Sequence, residues 1–382
     1  MKKKIIILFI AFLVILIPCS IANNDNTINE QKNTFEINDF IKNSKQYIGS
    51  DFLEENDINQ LLDDAIKGQV NNKNITAKIW GIFGKEFKST LSTLVSILAI
   101  IVIHSILKSI SDSLENDGVS KLIYYVQYIL IVTIIMTNFS DVVKIVKEAT
   151  VNMVGFINLL IPLLTSLMVF TGSITTSSMI EPVILFLVNL IGNLIQSVLI
   201  PFVLVIAALS IVSKISDKVQ INKLSNFMKS GVVWALGIFL TLFVSVISLE
   251  GTLSSSVDGI SAKTTKAVVS SAIPIVGKIL GDAVDTVLGC GIILKNAVGI
   301  VGVVIIIGIC ITPILKLALI TVSYKILAGI CEPIADEKIM KLLDQIGDIF
   351  KIFLAILASV SVLMIIGVTL VVKISNSAMM YR

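Results

Sequence analysis

The sequence predicts an all-α polytopic membrane protein: a cleaved leader, a small exported helical segment, then about eight to ten membrane segments arranged as two parallel repeats. Three observations carry that prediction. Hydrophobic residues fill 55% of the 382 positions and charged residues 15%, and the mean hydropathy is +0.94, more apolar side chain than a soluble core can bury. Apolar runs of spanning length recur from Leu91 onward, each near the 17 to 25 residues that a bilayer core requires. The chain also opens on a basic tract followed at once by an apolar one, which is how an export leader reads.

That leader comprises Met1 to Lys4 as the basic region, Ile5 to Ile17 as the apolar region, and Ser20-Ile21-Ala22 as a small-x-small cleavage site, so 1–22 is the expected signal peptide. A lipoprotein leader ending at Cys19 fits less well with Pro18 directly before the cysteine, and an uncleaved anchor would be short for a span. From Asn23 to Lys73 there are ten Asp or Glu against five Lys. Phe40, Ile41, Tyr47, Ile48, Phe52, Leu53, Ile58, Leu61, Leu62 and Ile66 recur at near-helical spacing, so 23–88 is expected to be an exported acidic helical segment, either a cap on a partner or membrane or a solvated spacer.

The first membrane half, 89–250, is expected to hold spans at Leu91–Leu107, Leu122–Phe139 and Val151–Phe170, then Pro182–Val212, then Gly231–Leu249. The 31 residues of Pro182–Val212 exceed one untilted span, and Pro201 is the expected break because proline removes a backbone donor. With the exported segment outside, this count leaves Lys214 to Lys229 in the cytoplasm, where four lysines face the single acid Asp217, as the positive-inside rule asks.

The second half, 251–382, echoes the first. Ile161-Pro162 and Ile273-Pro274 are 112 positions apart, as are Pro201 and Pro313; Ile215-Ser-Asp217 and Ile334-Ala-Asp336 are 119 apart, as are the spans starting at Gly231 and Phe350. Two four-segment copies, Val151–Leu249 and Ala267–Gly367, would then run in one orientation, with helix breaks at Pro162, Pro201, Pro274 and Pro313 and the C-terminus outside.

Within the stretch Ala267–Gly299, Lys278, Asp282 and Asp285 stand at i, i+4 and i+7, one polar stripe on an otherwise apolar helix. Gly277 and Gly281 form a G-x-x-x-G pair that lets a neighbouring helix approach. Charges at membrane depth are costly, so these three, with Glu181 and Lys316, are the candidate functional groups. We read the stripe first as a packing or interfacial element and second as the wall of a solute path or pore. His104 reads as a packed residue, and Asn158, Asn189, Asn193 and Gln196 as interhelical hydrogen-bonding groups.

Much chemistry is excluded. All basic residues but Arg382 are lysines and the net charge is +3, so no nucleic-acid surface is expected. Cys19, Cys290, Cys310 and Cys331 show no C-x-x-C spacing and read as free thiols, with no metal site. No phosphate-binding G-x-x-x-x-G-K-[ST], H-E-x-x-H or G-x-S-x-G occurs, so neither a cofactor nor an enzymatic activity is expected.

Lys263-Thr-Thr-Lys266, Ser270 to Lys278, Asp282-Ala-Val-Asp-Thr286, Lys295-Asn-Ala-Val-Gly299 and Ile330-Cys-Glu-Pro-Ile-Ala-Asp336 together resemble the stage III sporulation protein AE family of endospore-forming bacteria. The resemblance covers essentially the whole chain. It implies a multi-pass subunit in the mother-cell membrane around the forespore, partnered by the other SpoIIIA proteins and SpoIIQ in a trans-envelope channel that sustains late forespore gene expression. A separate ATPase would supply the energy. The alternative is a self-sufficient secondary transporter built on the two parallel repeats; a membrane chaperone is a third.

Overall fold

The computed structural model describes residues 25–49, 52–53, 55–69, 72–113, 117–215, 222–272, 276–335 and 337–380. Some side chains within these stretches, including His104 and all of 259–285, lie outside the description. The leader, with Cys19, lies outside it too, as does Pro274.

Every regular element among the described residues is helical. Three short helices come first: α1 (Asp25–Thr34), α2 (Ile37–Ser44) and α3 (Glu55–Ile66). Long ones follow: α4 (Asn72–Ser113), α5 (Asp117–Phe170), α6 (Ile174–Leu194), α7 (Ile200–Ile215), α8 (Asn222–Ala272), α9 (Val276–Ile330) and α10 (Glu337–Met380). The expected boundaries at 88/89 and 250/251 fall inside α4 and α8.

Six stretches among the described residues are long and apolar enough to cross a membrane, from Thr76–Leu107 to Glu337–Asn376. This chain is therefore an all-α, multi-pass membrane protein, with six long candidate spans among the described residues against the eight to ten segments expected. The first reason is that the charged stretch between Phe139 and Val151 remains helical. Val142, Val146, Ala149 and Met153 are all buried; their spacing of i, i+4, i+7 and i+11 keeps one apolar stripe against the core, while Asp141, Lys144, Lys147 and Glu148 occupy the remaining faces. An amphipathic helix thus joins two apolar runs that hydropathy separates.

The second reason is that proline does not end these helices. Pro162 lies within α5 and Pro313 within α9. At Pro201 a π-helical turn, Ile195–Leu199, carries the chain from α6 into α7. A widened turn moves the preceding carbonyls away from the proline ring, relieving the clash that would break a regular helix. So the breaks expected at Pro162, Pro201 and Pro313 are absent. Merging removes two crossings before Lys214, so the side expected for that segment is unchanged.

Side-chain contacts set the helix directions. Along α9 and α10, Gly299 meets Val372 while Tyr324 meets Phe350 with ring centroids 5.1 Å apart, so the two run antiparallel. α5 is antiparallel to α9, from Phe170 against Gly291 to Asn138 donating to Tyr324 Oη at 2.8 Å. α8 and α10 run parallel: Lys229 faces Asp348, Phe243 faces Gly367 and Gly251 faces Ile374. The echo in the sequence thus corresponds to two helical hairpins in the same orientation, α6–α7 with α8 and α9 with α10, instead of two four-segment copies.

Much apolar surface remains uncovered. Trp80 and Trp234, the only tryptophans, are 70% and 75% exposed, and Leu91, Val95 and Val102 extend the α4 stripe. In water such a surface would drive aggregation; in a bilayer it is the lipid-facing side.

The N-terminal helices pack on this body. Ile37, Phe40, Ile41, Phe52, Ile58 and Leu62 are buried. Phe35 meets Phe170 edge-on with centroids 5.3 Å apart, and Gln31 Nε2 donates to the Val287 carbonyl at 3.1 Å. Two glycines set how close the segment comes: a Cβ on Gly155 would lie 2.5 Å from the Tyr47 ring, and one on Gly308 would lie 2.6 Å from the Phe52 ring. Lys32 ties α1 to Asp63 of α3 at 2.6 Å. Of the two expectations for this segment, packing excludes the solvated spacer.

Candidate functional site: a buried polar cluster at one end of the bundle

Where α5 turns into α6, Asp258 of α8, the last turns of α10 and the stretch of α9 around Lys295 bring together polar side chains that the apolar bundle has shut away from solvent. The turn is Thr171-Gly172-Ser173, with Gly172 at φ 85°, a left-handed conformation that glycine adopts without a Cβ clash. A chain reversing so tightly leaves the first N–H groups of α6 without helical partners. Ser173 makes no side-chain cap. Asp258, far along α8, does so instead: its two carboxylate oxygens accept from Thr175 N at 2.9 Å and Thr176 N at 2.8 Å. The carboxylate is only 4% exposed, and its negative charge sits at the positive end of the α6 dipole.

Lys295 lies on the other side of the turn, with no exposed surface. Its ammonium donates to Ser375 Oγ at 2.6 Å and to Asn376 Oδ1 at 2.8 Å. Asn376 in turn donates to Asn296 Oδ1 at 3.2 Å, and Ser375 Oγ lies 3.4 Å from Ser173 Oγ. Burying an ammonium costs several kcal/mol, about what two or three charge-assisted hydrogen bonds return. Its partners among the described residues are neutral, so the arrangement binds helix to helix and is not a salt bridge. Thr176 Oγ1, fully buried beside the cap, has no hydrogen-bond partner among the described residues.

Together the groups clamp four helices. Asp258 fixes α8 to the start of α6, Lys295 fixes α9 to the end of α10, and Ser173 links the two. Lys295 and Asp258 are each held by neutral groups on other helices, so what the cluster does in this structure is join helices.

The structure treats the other candidates unevenly. Lys278, Asp282, Asp285, Gly277 and Gly281 lie in the first turns of α9, where side chains are outside the described ones. Glu181 accepts a hydrogen bond from Thr165 Oγ1 at 2.7 Å across the α5–α6 pair, while Lys316 is half-buried on α9. Asn158 and Asn189 exchange amide hydrogen bonds at 3.2 and 2.9 Å, the interhelical role expected of them; Asn193 is exposed and Gln196 half-buried. Cys290, Cys310 and Cys331 are buried free thiols. Burial also pushes the Cys331 thiol above its ordinary pKa.

Sequence reasoning passed over Asp258 and gave Lys295 no role beyond a family-like word. A lysine alone in the apolar run from Gly289 to Leu315 was the available signal. For Asp258 there was none, because the helix that it caps starts 84 residues earlier.

The chain is similar in sequence to known proteins along most of its length. A family model described as Stage III sporulation protein AE matches residues 56–375. Stage III sporulation protein AE of Bacillus subtilis (strain 168) is 31% identical to this chain over 332 residues, covering 84% of this chain and 83% of that protein. No solved structure matches.

Proposed function

The chain belongs to the stage III sporulation protein AE family, and from that premise we propose that it is a membrane subunit of the SpoIIIA–SpoIIQ trans-envelope channel between mother cell and forespore. A role in sporulation follows from membership alone. The finer assignment is supported by one observation: the two buried charged side chains among the described residues join helices, Lys295 to Ser375 and Asp258 to the α6 N-terminus. Polar groups committed to helix–helix contacts favour a subunit that holds a shape over one that moves a solute. On this reading it sits in the mother-cell membrane, with α1–α3 on the exported side and the lysine-rich α7–α8 connection in the cytoplasm, and takes energy from a separate ATPase.

Deleting the gene should leave vegetative growth intact and stop development after engulfment. Normal spore yield in the deletion strain is the result that defeats the proposal. The second reading, a secondary transporter, draws on the parallel course of α8 and α10; solute flux through liposomes holding this protein alone would favour it.

A further inference from the structure

An open groove of about 360 Å³ lies between the α1–α2 junction and α5. Its floor is apolar: Phe35 and Phe40 from the N-terminal segment, Leu159 and Leu163 from α5. Its rim carries Glu36 and Asp39, both exposed and with no ion-pair or hydrogen-bond partner for either carboxylate among the described residues. No lysine lines it. The volume is at the small end of ligand pockets, about 300–1,000 Å³.

We propose that this groove is a docking site for a basic, amphipathic segment of a partner protein. A lysine or arginine there lays its hydrocarbon stem on the phenylalanine and leucine floor and brings its charge between the two carboxylates. Other occupants match less well. A phospholipid carries a phosphate that both carboxylates repel. The N-terminal segment of a second copy is itself acidic, with ten acids against five lysines between Asn23 and Lys73. The site lies on the segment that the channel reading places outside the cytoplasm, but it stands on the groove alone.

The test uses the full-length protein in phosphatidylcholine nanodiscs and a labelled helical peptide of leucine and lysine, with a leucine–glutamate peptide as control. Anisotropy should show the lysine peptide binding at least about tenfold tighter, an advantage lost in high salt. The double variant Glu36→Gln, Asp39→Asn should lose about tenfold in affinity, and Leu163→Trp, which fills the floor, should lose binding with thermal stability retained. Glu30→Gln with Asp64→Asn, acids away from the groove, should bind like wild type. Equal binding of the two peptides, no binding of the lysine peptide, or equal losses in both acid-neutralised doubles would overturn the proposal. So would a Ser166→Cys cross-link between two copies of the purified chain, which would assign the groove to self-association. The assay contains no other sporulation protein, so its failure is separate from a normal spore yield, which tests the channel reading.

Discussion

Lys295 and Ser375 meet at 2.6 Å inside the bundle, although 80 residues separate them. The contact joins the first third of α9 to the last turns of α10. Replacing the ammonium with an apolar isostere removes its desolvation cost together with its bonds, whereas removing the acceptors leaves a buried charge unsatisfied. Lys295→Met should therefore change stability by about 1 kcal/mol or less, while Ser375→Ala with Asn376→Ala should cost about 2–5 kcal/mol. Thermal unfolding in detergent reads both. A larger loss in Lys295→Met than in the double variant would show that the charge itself holds the site.

Asp258 caps α6 from another helix. Asp258→Ala should uncover two N–H groups and cost about 1–2 kcal/mol. Hydrogen exchange should quicken at Thr175 and Thr176 while the middle of α6 stays protected. Unchanged exchange there would show that water or a neighbour replaces the cap.

Gly308 admits Phe52. Gly308→Val should displace the aromatic ring and loosen the N-terminal helices, seen as faster trypsin cleavage at Lys42 and Lys45. Because the clash involves both residues, Phe52→Ala should partly restore protection in the double variant. Equal cleavage in wild type and Gly308→Val would mean that the segment is held by its other contacts alone.

Cys331 should resist alkylation in the folded protein. Its raised pKa leaves less thiolate at neutral pH than a free cysteine has, so reaction with a polar maleimide should be slow and should accelerate only above the usual thiol pH range. Unfolding should remove the difference. Fast labelling at pH 7 in the intact protein would contradict the burial described.

The fold class was legible because lipid demands long apolar helices and the chain supplies them. Helix number was not. Hydropathy averages over all faces of a helix, so the amphipathic turn-and-a-half around Lys144 and Lys147 reads as a connection although Val142 and Val146 stay in the core. Pro201 misleads for the opposite reason: the rule that proline ends helices assumes a regular turn before it, and here that turn is π-helical. The polar cluster was half legible. A lysine within an apolar run stands out, as Lys295 does, but its partners near residue 375 come from another helix, and no local pattern announces a cap supplied from a distance.

The continuity of α5 has a mechanical consequence. Its apolar stretch Tyr125–Phe170 is 46 residues, about 69 Å at 1.5 Å per residue, against about 30 Å of hydrocarbon. Roughly half of that rod must stand clear of the acyl chains or lean steeply through them. A displacement of the end that the N-terminal helices grip would pass along this one helix, with Pro162, where a backbone hydrogen bond is missing, as the place for it to bend.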